Sequence, residues 1–322
     1  MVIPNYNGVA LLPEILPPLM ESLQASGLPW DIIVSDDHST DGSVAFLTAQ
    51  YPQIRLIRNS VNRGFGPTIN EGIRQARYDL VFLLNNDVKT TPDYFVHQLP
   101  HFEDEHCFGV MGRIIGWDDS REQEGAKFPR LQGWKIKTNT HYAPADSWEG
   151  PYWPTMYLSG ANALVRRDKL LMLGGFEDLF SPFYVEDVDL GLRAWRVGWT
   201  CQYEPRSVCR HRVSVTIQSK HRKSFIRRIY YRNKALLQVL HLSPTARLGW
   251  YLQQGLEALL RLPLGQTEHL LALRDLIRNR ASIRRSRQSL QSLGEKTGTY
   301  LSLKEVTQRI RRQIGQRRIE VR

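Results

Sequence analysis

Cysteine is scarce in this chain of 322 residues: Cys107, Cys201 and Cys209 are its only three. They are too few and too scattered for a disulfide framework or a CxxC metal site, which points to a reducing compartment. No stretch approaches the roughly 20 uninterrupted apolar residues that a spanning helix requires. The chain opens directly on MVIPNYNG, without a charged-then-apolar leader. Neither a GxxxxGKS/T loop nor a GxGxxG follows the first apolar run, so the P-loop and the dinucleotide fingerprint are both missing. These absences exclude a secreted mini-protein, an integral membrane protein and a fibrous protein.

With 42% hydrophobic and 23% charged residues, a real core can form. The overall charge of +11 hides an asymmetry. Between Lys220 and Arg322 there are 23 basic residues against 6 acidic ones, a net of +17, which leaves residues 1–219 at −6. The length suits one catalytic domain, 1–219, followed by a basic extension, 220–322.

The acidic half reads as alternating strands and helices. VIPNY is a strand ending in the turn Asn7-Gly8, and LLPEILPPLMESLQAS is helical, broken by prolines and closed by Gly27. Ile32-Ile33-Val34 is a strand covered on both faces. A helix runs from Asp41-Gly42-Ser43 to Tyr51, a strand over Ile54–Ile57, and a helix from Gly66 to Arg77. LVFLL (80–84) is the clearest strand, and Thr91-Pro92 opens a helix towards Phe102. This alternation predicts right-handed crossovers and a mostly parallel sheet, with ligands at the carboxyl ends of its strands.

Polar residues collect at those ends: Asp36-Asp37-His38-Ser39-Thr40-Asp41-Gly42, then Asn59 to Gly66, then Asn85-Asn86-Asp87. Asp, Asn and Gly are common turn formers, and any one loop is explained by turn chemistry. Three such loops along one edge point to a polar ligand instead.

In order, VIPNYNG, VSDDHSTDGS, NRGFGPTINEGI, LVFLLNNDV, YLSGANALVRR and GGFEDLFSPFYVEDVDLGLRAWRVGW resemble the family 2 glycosyltransferases, of GT-A fold. The best match is the bacterial branch that builds surface polysaccharides and includes rhamnosyltransferases. The six blocks cover about residues 2–216. Each is loose alone, and the ordered set is specific.

The resemblance implies an inverting transfer of a sugar from a nucleoside-diphosphate sugar to an acceptor hydroxyl. It aligns Asp36 with the carboxylate that accepts a hydrogen bond from the base. Asp41 reads as a cap on the following helix. Pro4, Asn5 and Tyr6 would line base and ribose, with Asn62 and Gly64 beneath the nucleotide. Asn85-Asn86-Asp87 takes the family's DxD position, where a carboxylate binds a divalent cation bridging the phosphates. The first acid is an amide here, so Asp87 is the strong ligand left, suited to Mg2+ or Mn2+. Asp187 aligns with the general base and follows an acid, Glu186. The plain reading of both is dipole complementation at a helix start. His211, 24 residues on and just past the strand TCQYEP, aligns with a third metal ligand, and the other eight histidines carry no assignment. Gly160 and Asn162 lie in the small-residue loop beside the donor sugar. Gly174-Gly175-Phe176 is a turn positioning the loop before the base. Asp189 and Arg193 read as a helix-surface pair. Trp148, Tyr152, Trp153 and Tyr157 offer either sugar-stacking faces or core.

Beyond Ser224 the chain is helical and arginine-rich, with Phe225, Ile229, Leu236, Leu237 and Leu240 at spacings of three and four. Trp250 and Tyr251 would suit a headgroup boundary. Membrane-surface docking, nucleic-acid binding and a solvated bundle compete. The tail carries no nucleic-acid signature, which favours an anionic membrane as the partner and no nucleic acid, with a nucleic-acid-binding protein left as the third rival. The expectation is a cytoplasmic enzyme on the inner face of the cell membrane, taking a glycan or lipid-linked acceptor. Its rivals are a sugar nucleotidyltransferase and a non-catalytic glycan-binding or scaffolding protein. Met1 lies almost on the first motif, so either the first strand is short or the start is placed late.

Overall fold

The period-two pattern of the first strands sorts their side chains onto two faces. A computed structural model of the chain describes residues 1–119, 122–144, 152–212 and 222–321. Strands β1 (Val2–Asn5), β2 (Ile33–Asp36), β3 (Arg55–Arg58) and β4 (Leu80–Leu84) are parallel, in the order β3-β2-β1-β4. Val2, Ile33, Val81 and Leu83 face helix α3 (Phe65–Gln75). Ile3, Val34, Phe82 and Leu84 face helices α1 (Leu12–Ala25) and α2 (Ser43–Gln50).

The chain continues through β5 (Val88–Thr90), α4 (Tyr94–Gln98), β6 (Cys107–Gly116) and β7 (Glu122–Glu124). Three short strands follow, β8 (Arg130–Gln132), β9 (Lys135–Lys137) and β10 (Tyr142–Pro144), then β11 (Trp153–Pro154) and β12 (Asn162–Arg166). Helices α5 (Arg167–Met172) and α6 (Glu186–Arg196) precede the long β13 (Thr200–His211). The main sheet reads β11-β13-β6-β12-β4-β1-β2-β3, with β5 on β13 and β7 on β6. Strand β12 is antiparallel to both neighbours, while β13 is parallel to β6. The chain thus leaves β1 in both directions, making the carboxyl end between β1 and β4 a topological switch point.

Four expectations need correction. Helix α1 is continuous through Pro17 and Pro18; its buried stripe of Leu12, Ile15, Leu16, Leu19 and Leu23 outweighs the lost backbone hydrogen bonds. The helix after Pro92 ends at Gln98 in a 3₁₀ turn, Leu99–Glu103, that contains Pro100. Thr91 caps nothing, because its hydroxyl donates to the Val208 carbonyl. Strand β13 runs past Pro205 to His211, admitting the proline at a register break between Glu204 and Val208.

Five helices follow: α7 (Lys223–His241), α8 (Pro244–Arg261), α9 (Glu268–Arg278), α10 (Arg280–Thr297) and α11 (Leu303–Ile314), before strand β14 (Ile319–Val321). The stripe Ile229, Leu236, Leu237 and Leu240 is buried, whereas Phe225 is exposed. Trp250 is also buried, so it is core and not a headgroup anchor. Strand β14 pairs with β10, and Leu236, Leu276 and Val306 belong to the same apolar core as Phe108 and Trp195. The boundary expected at 219/220 falls in 213–221, outside the described residues.

The buried amide of Asn233 ties α7 to the segment before α6. Its Nδ2 donates to the carbonyls of Phe180 (2.6 Å), Phe183 (2.8 Å) and Tyr184 (2.8 Å). Replacing it leaves those buried carbonyls unmatched. Asn233→Ala should lower unfolding free energy by about 1–3 kcal/mol in a denaturant titration; a loss under about 0.5 kcal/mol would contradict this anchoring.

Candidate active site

Asn5, the last residue of β1, joins three loops. Its Nδ2 donates to Asp36 Oδ2 (2.9 Å) and Ser39 Oγ (3.2 Å), and its Oδ1 accepts from Asn86 Nδ2 (2.9 Å). The Asn5–Asn86 bond spans the switch point between β1 and β4. Asp36 also accepts from the Ser39 amide (2.9 Å). Asp41 accepts from the Ser43 amide (2.9 Å) at the start of α2 and from the Val9 amide (3.0 Å), bracing the β1 loop as well as the helix.

Asp37, to which no role was assigned, orders the next loop. Its carboxylate accepts from Asn59 Nδ2 (2.9 Å), the Arg63 amide (2.9 Å) and the Gly64 amide (2.8 Å). Gly64 has φ 87°, and a Cβ there would stand 2.8 Å from Pro182 Cα. The Phe65 amide donates to the Pro182 carbonyl at 3.0 Å. Glycine is therefore needed where the nucleotide-side loop meets the segment before α6.

Asp87 and His211 come together because β5 lies antiparallel to β13, with Val88 opposite His211. His211 Nε2 is 3.5 Å from Asp87 Oδ2. Gln123 on β7 fixes the ring: its Nε2 donates to the His211 carbonyl (3.2 Å), which turns its Oε1 towards His211 Nδ1 at 2.7 Å. Nδ1 then donates to Gln123, and Nε2 is the ring nitrogen that faces Asp87. No motif signals Gln123.

Helix α6 begins after two non-glycine residues in the left-handed region, Tyr184 (φ 78°) and Val185 (φ 76°). Such backbone is strained and must be held from outside. Asn233 holds the carbonyls, and the Arg232 guanidinium donates to the Ser181 carbonyl. Asp187 lies in the first turn, and its Oδ1 accepts from the Val188 amide (2.7 Å). Asp189 and Arg193 are not a surface pair. Both are buried; Asp189 accepts from Arg193 Nε (2.7 Å) and faces His241 Nε2 on α7 (2.9 Å). Arg193 also donates to the carbonyls of Leu173 and Gly175 (2.8 Å each), fixing the expected glycine turn. Burial alone would raise the Asp189 carboxyl; Arg193 and His241 outweigh it and hold it below its ordinary value.

Other expected residues divide. Pro4, Tyr6, Asn85, Glu186 and Asp187 are partly exposed along the carboxyl edge, and Asn62 is exposed beside Gly64. Gly160 is buried, with an added Cβ 3.1 Å from the Phe65 ring. Asn162 is fully buried within the sheet, where its Nδ2 donates to the Gly112 carbonyl (2.9 Å) and its Oδ1 has no hydrogen-bond partner. Trp153 and Tyr157 are buried core, Tyr152 lies against His101, and Trp148 falls outside the described residues.

The profile of the family described as Glycosyl transferase family 2 matches residues 1–172. The chain belongs to that family. It is 28% identical over 214 residues to an N-acetylglucosaminyl-diphospho-decaprenol L-rhamnosyltransferase of Mycobacterium tuberculosis, covering 58% of this chain and 68% of the relative. The crystal structure of GalNAc-T7 with UDP, GalNAc and Mn2+ matches with TM-score 0.58 at 14% identity, over 76% of this chain and 48% of that one. Residues 1–349 of S. aureus TarS in complex with UDP-GlcNAc match with TM-score 0.52 at 14% identity, over 97% of this chain and 91% of that one. These likenesses establish the GT-A fold.

A divalent cation, implied by the family, fits Asp87 and His211. Asp87 Oδ1 is buried with no hydrogen-bond partner, as is Asn85 Oδ1, and such orphaned acceptors are costly without a ligand. Among the described residues no three His, Cys, Asp or Glu side chains form a metal-ligand cluster. Asp87 and His211 would supply two ligands, and substrate oxygens would complete the shell.

In this glycosyltransferase Glu186 has its Oε2 buried without a partner. Burial first, then the charge of Asp187, raise its carboxyl above the ordinary 4.5. An acid raised on folding lends stability that is complete below pH 4.5 and lost as pH rises through the folded value. Glu186→Gln mimics the neutral acid. Its melting temperature should match the parent's at low pH and exceed it increasingly towards about pH 8; a constant offset across that range would refute the assignment.

Proposed function

We propose that this chain is an inverting glycosyltransferase moving a sugar from a nucleoside-diphosphate sugar to an acceptor hydroxyl, with Asp187 as general base. The observation that carries this reading is the Asp87–His211 pair beside the Asn5–Asn86 switch-point bond, on the same strand-end edge as the acid-headed helix α6. A Mg2+ or Mn2+ ion held by Asp87 and His211 would neutralise charge developing on the departing diphosphate.

Asp36 is buried, with one carboxylate oxygen accepting from Asn5 and the other from the Ser39 amide; its remaining lone pairs would accept the N3–H of uracil or thymine. Pro4 and Tyr6 flank the base and ribose. Asn62 and Gly64, positioned by Asp37, lie under the nucleotide. Asn85, Asn86, Gly160 and Glu186 surround the donor phosphates and sugar, and a neutral Glu186 can donate to a sugar hydroxyl. Asp187 takes the acceptor hydroxyl's proton as that oxygen bonds the anomeric carbon from the face opposite the diphosphate. The carbon–oxygen bond to phosphate breaks in the same displacement, so configuration inverts and no covalent enzyme intermediate forms.

The mycobacterial relative's name specifies a diphospho-decaprenol substrate. It supports a lipid-linked acceptor here, in bacterial surface-polysaccharide or glycolipid synthesis; a place on the cytoplasmic face of the membrane is part of the same proposal. Among the described residues no helix is long and apolar enough to cross a membrane. Asp187→Asn should reduce kcat by about 10²–10⁴-fold in a nucleotide-sugar panel assay, while calorimetric binding of UDP persists. A kcat within a few-fold of the parent would remove Asp187 from the mechanism.

A further inference from the structure

The amphipathic face expected on α7 is used up inside the protein; a second one, on α8, is not. Trp250, Gln254 and Ala258 form the buried face of α8. On the opposite side Leu248, Leu252, Leu256 and Leu259 are between 59% and 70% exposed. Leu260 and Leu264 extend the surface at 66% and 70% exposure. At 3.6 residues per turn, Thr245, Tyr251 and Gly255 fill the rest of this outward stripe, so it carries no charge over about 27 Å. An uncharged leucine stripe of that length is larger than ordinary surface scatter.

Tyr251 stands where this stripe meets a cavity of about 390 Å³ between α8 and α10. Arg247, Arg280, Arg284 and Arg287 line it, together with Tyr251 and Tyr300. Among the described residues none of the four guanidiniums pairs with a carboxylate; Arg287 Nη1 donates only to carbonyls at the end of α7, including Leu240 at 3.0 Å. Burial first, and then the charge of Arg247, hold Arg287 below its ordinary value. Three guanidiniums without a carboxylate partner and a fourth held by the carbonyls that end α7 make this cavity strongly cationic, and guanidiniums suit phosphate oxygens.

We propose that α8 and this cavity form one docking surface for an anionic phospholipid bilayer, the leucine stripe entering the acyl boundary and the four arginines receiving lipid phosphates. The charge pattern selects this occupant: a twofold pairing through the same stripe would bring two arginine clusters together, whereas an anionic leaflet supplies both apolar depth and counter-charge. The surface deepens the functional reading above, since it would seat the enzyme where a lipid-linked acceptor lies, and it rests on that reading only for its purpose.

Co-sedimentation of the full chain with phosphatidylcholine vesicles, with and without phosphatidylglycerol, tests it. The parent should bind the anionic vesicles strongly and lose binding as sodium chloride rises. Arg247→Gln/Arg280→Gln/Arg284→Gln should weaken that binding at least tenfold, and so should Leu252→Gln/Leu256→Gln, whose positions are exposed and leave the core intact. Either variant binding like the parent would overturn the proposal. So would a parent dimer that ignores vesicles and dissociates in the leucine variant, or displacement from vesicles by millimolar inorganic phosphate, which would make the cavity a site for the free anion. Transfer to a water-soluble acceptor should be unchanged in both variants; its absence from the parent would count against the catalytic reading and leave the vesicle result standing.

Discussion

The register between β5 and the end of β13 decides whether the two halves of the sheet share one site. With Val88 opposite His211, the residue before Val88 comes beside the imidazole, and the Arg212 amide donates to the Asp87 carbonyl at 3.0 Å. A slip of one residue would turn His211 to the other face of the sheet. Strand β7 locks the arrangement through Gln123, which sets both the position and the tautomer of the ring. The Asp87 carboxylate and the Nε2 edge of His211 are thereby fixed in place by the fold itself, and preorganisation of this kind makes electrostatic stabilisation of a leaving group effective.

The proposed general base stands on α6, whose entry is conformationally costly. Tyr184 and Val185 both take positive φ, and the helices that follow the catalytic sheet restrain them. Asn233 collects the carbonyls ahead of α6, and His241 reaches Asp189 inside it. Arg193 extends the same buried network to the Leu173–Gly175 turn. The basic helical segment is thus scaffold on one side, while its leucine stripe and arginine cavity face outward on the other.

Much of this was legible from residue types alone. Apolar runs separated by polar, glycine-bearing loops marked the four parallel strands β1 to β4, though not their order, and Asp, Asn and Gly clustered at the strand ends that meet at the switch point. The ordered motifs singled out Asp87 and His211, which the fold brings to 3.5 Å from each other. What escaped had physical reasons. Strand β6 was missed because Gly109, Gly112 and Gly116 interrupt its apolar pattern. Gln123 and Asn233 act through single long-range hydrogen bonds that leave no periodic trace. Trp250 was misread because an aromatic type does not say which way a side chain points, and here it points into the core. His241 passed for an unassigned histidine until α7 packed it against Asp189. The clearest apolar surface lay on α8, where exposure, unlike periodicity, is decided only by what the helix packs against.

Pulsed electron paramagnetic resonance of Mn2+ bound with UDP reads the central claim without relying on turnover. If Asp87 and His211 hold the ion, the spectrum should show coupling to one imidazole nitrogen, and His211→Gln should abolish it while the protein stays folded. A spectrum without nitrogen coupling, or one unchanged by His211→Gln, would contradict the site described here.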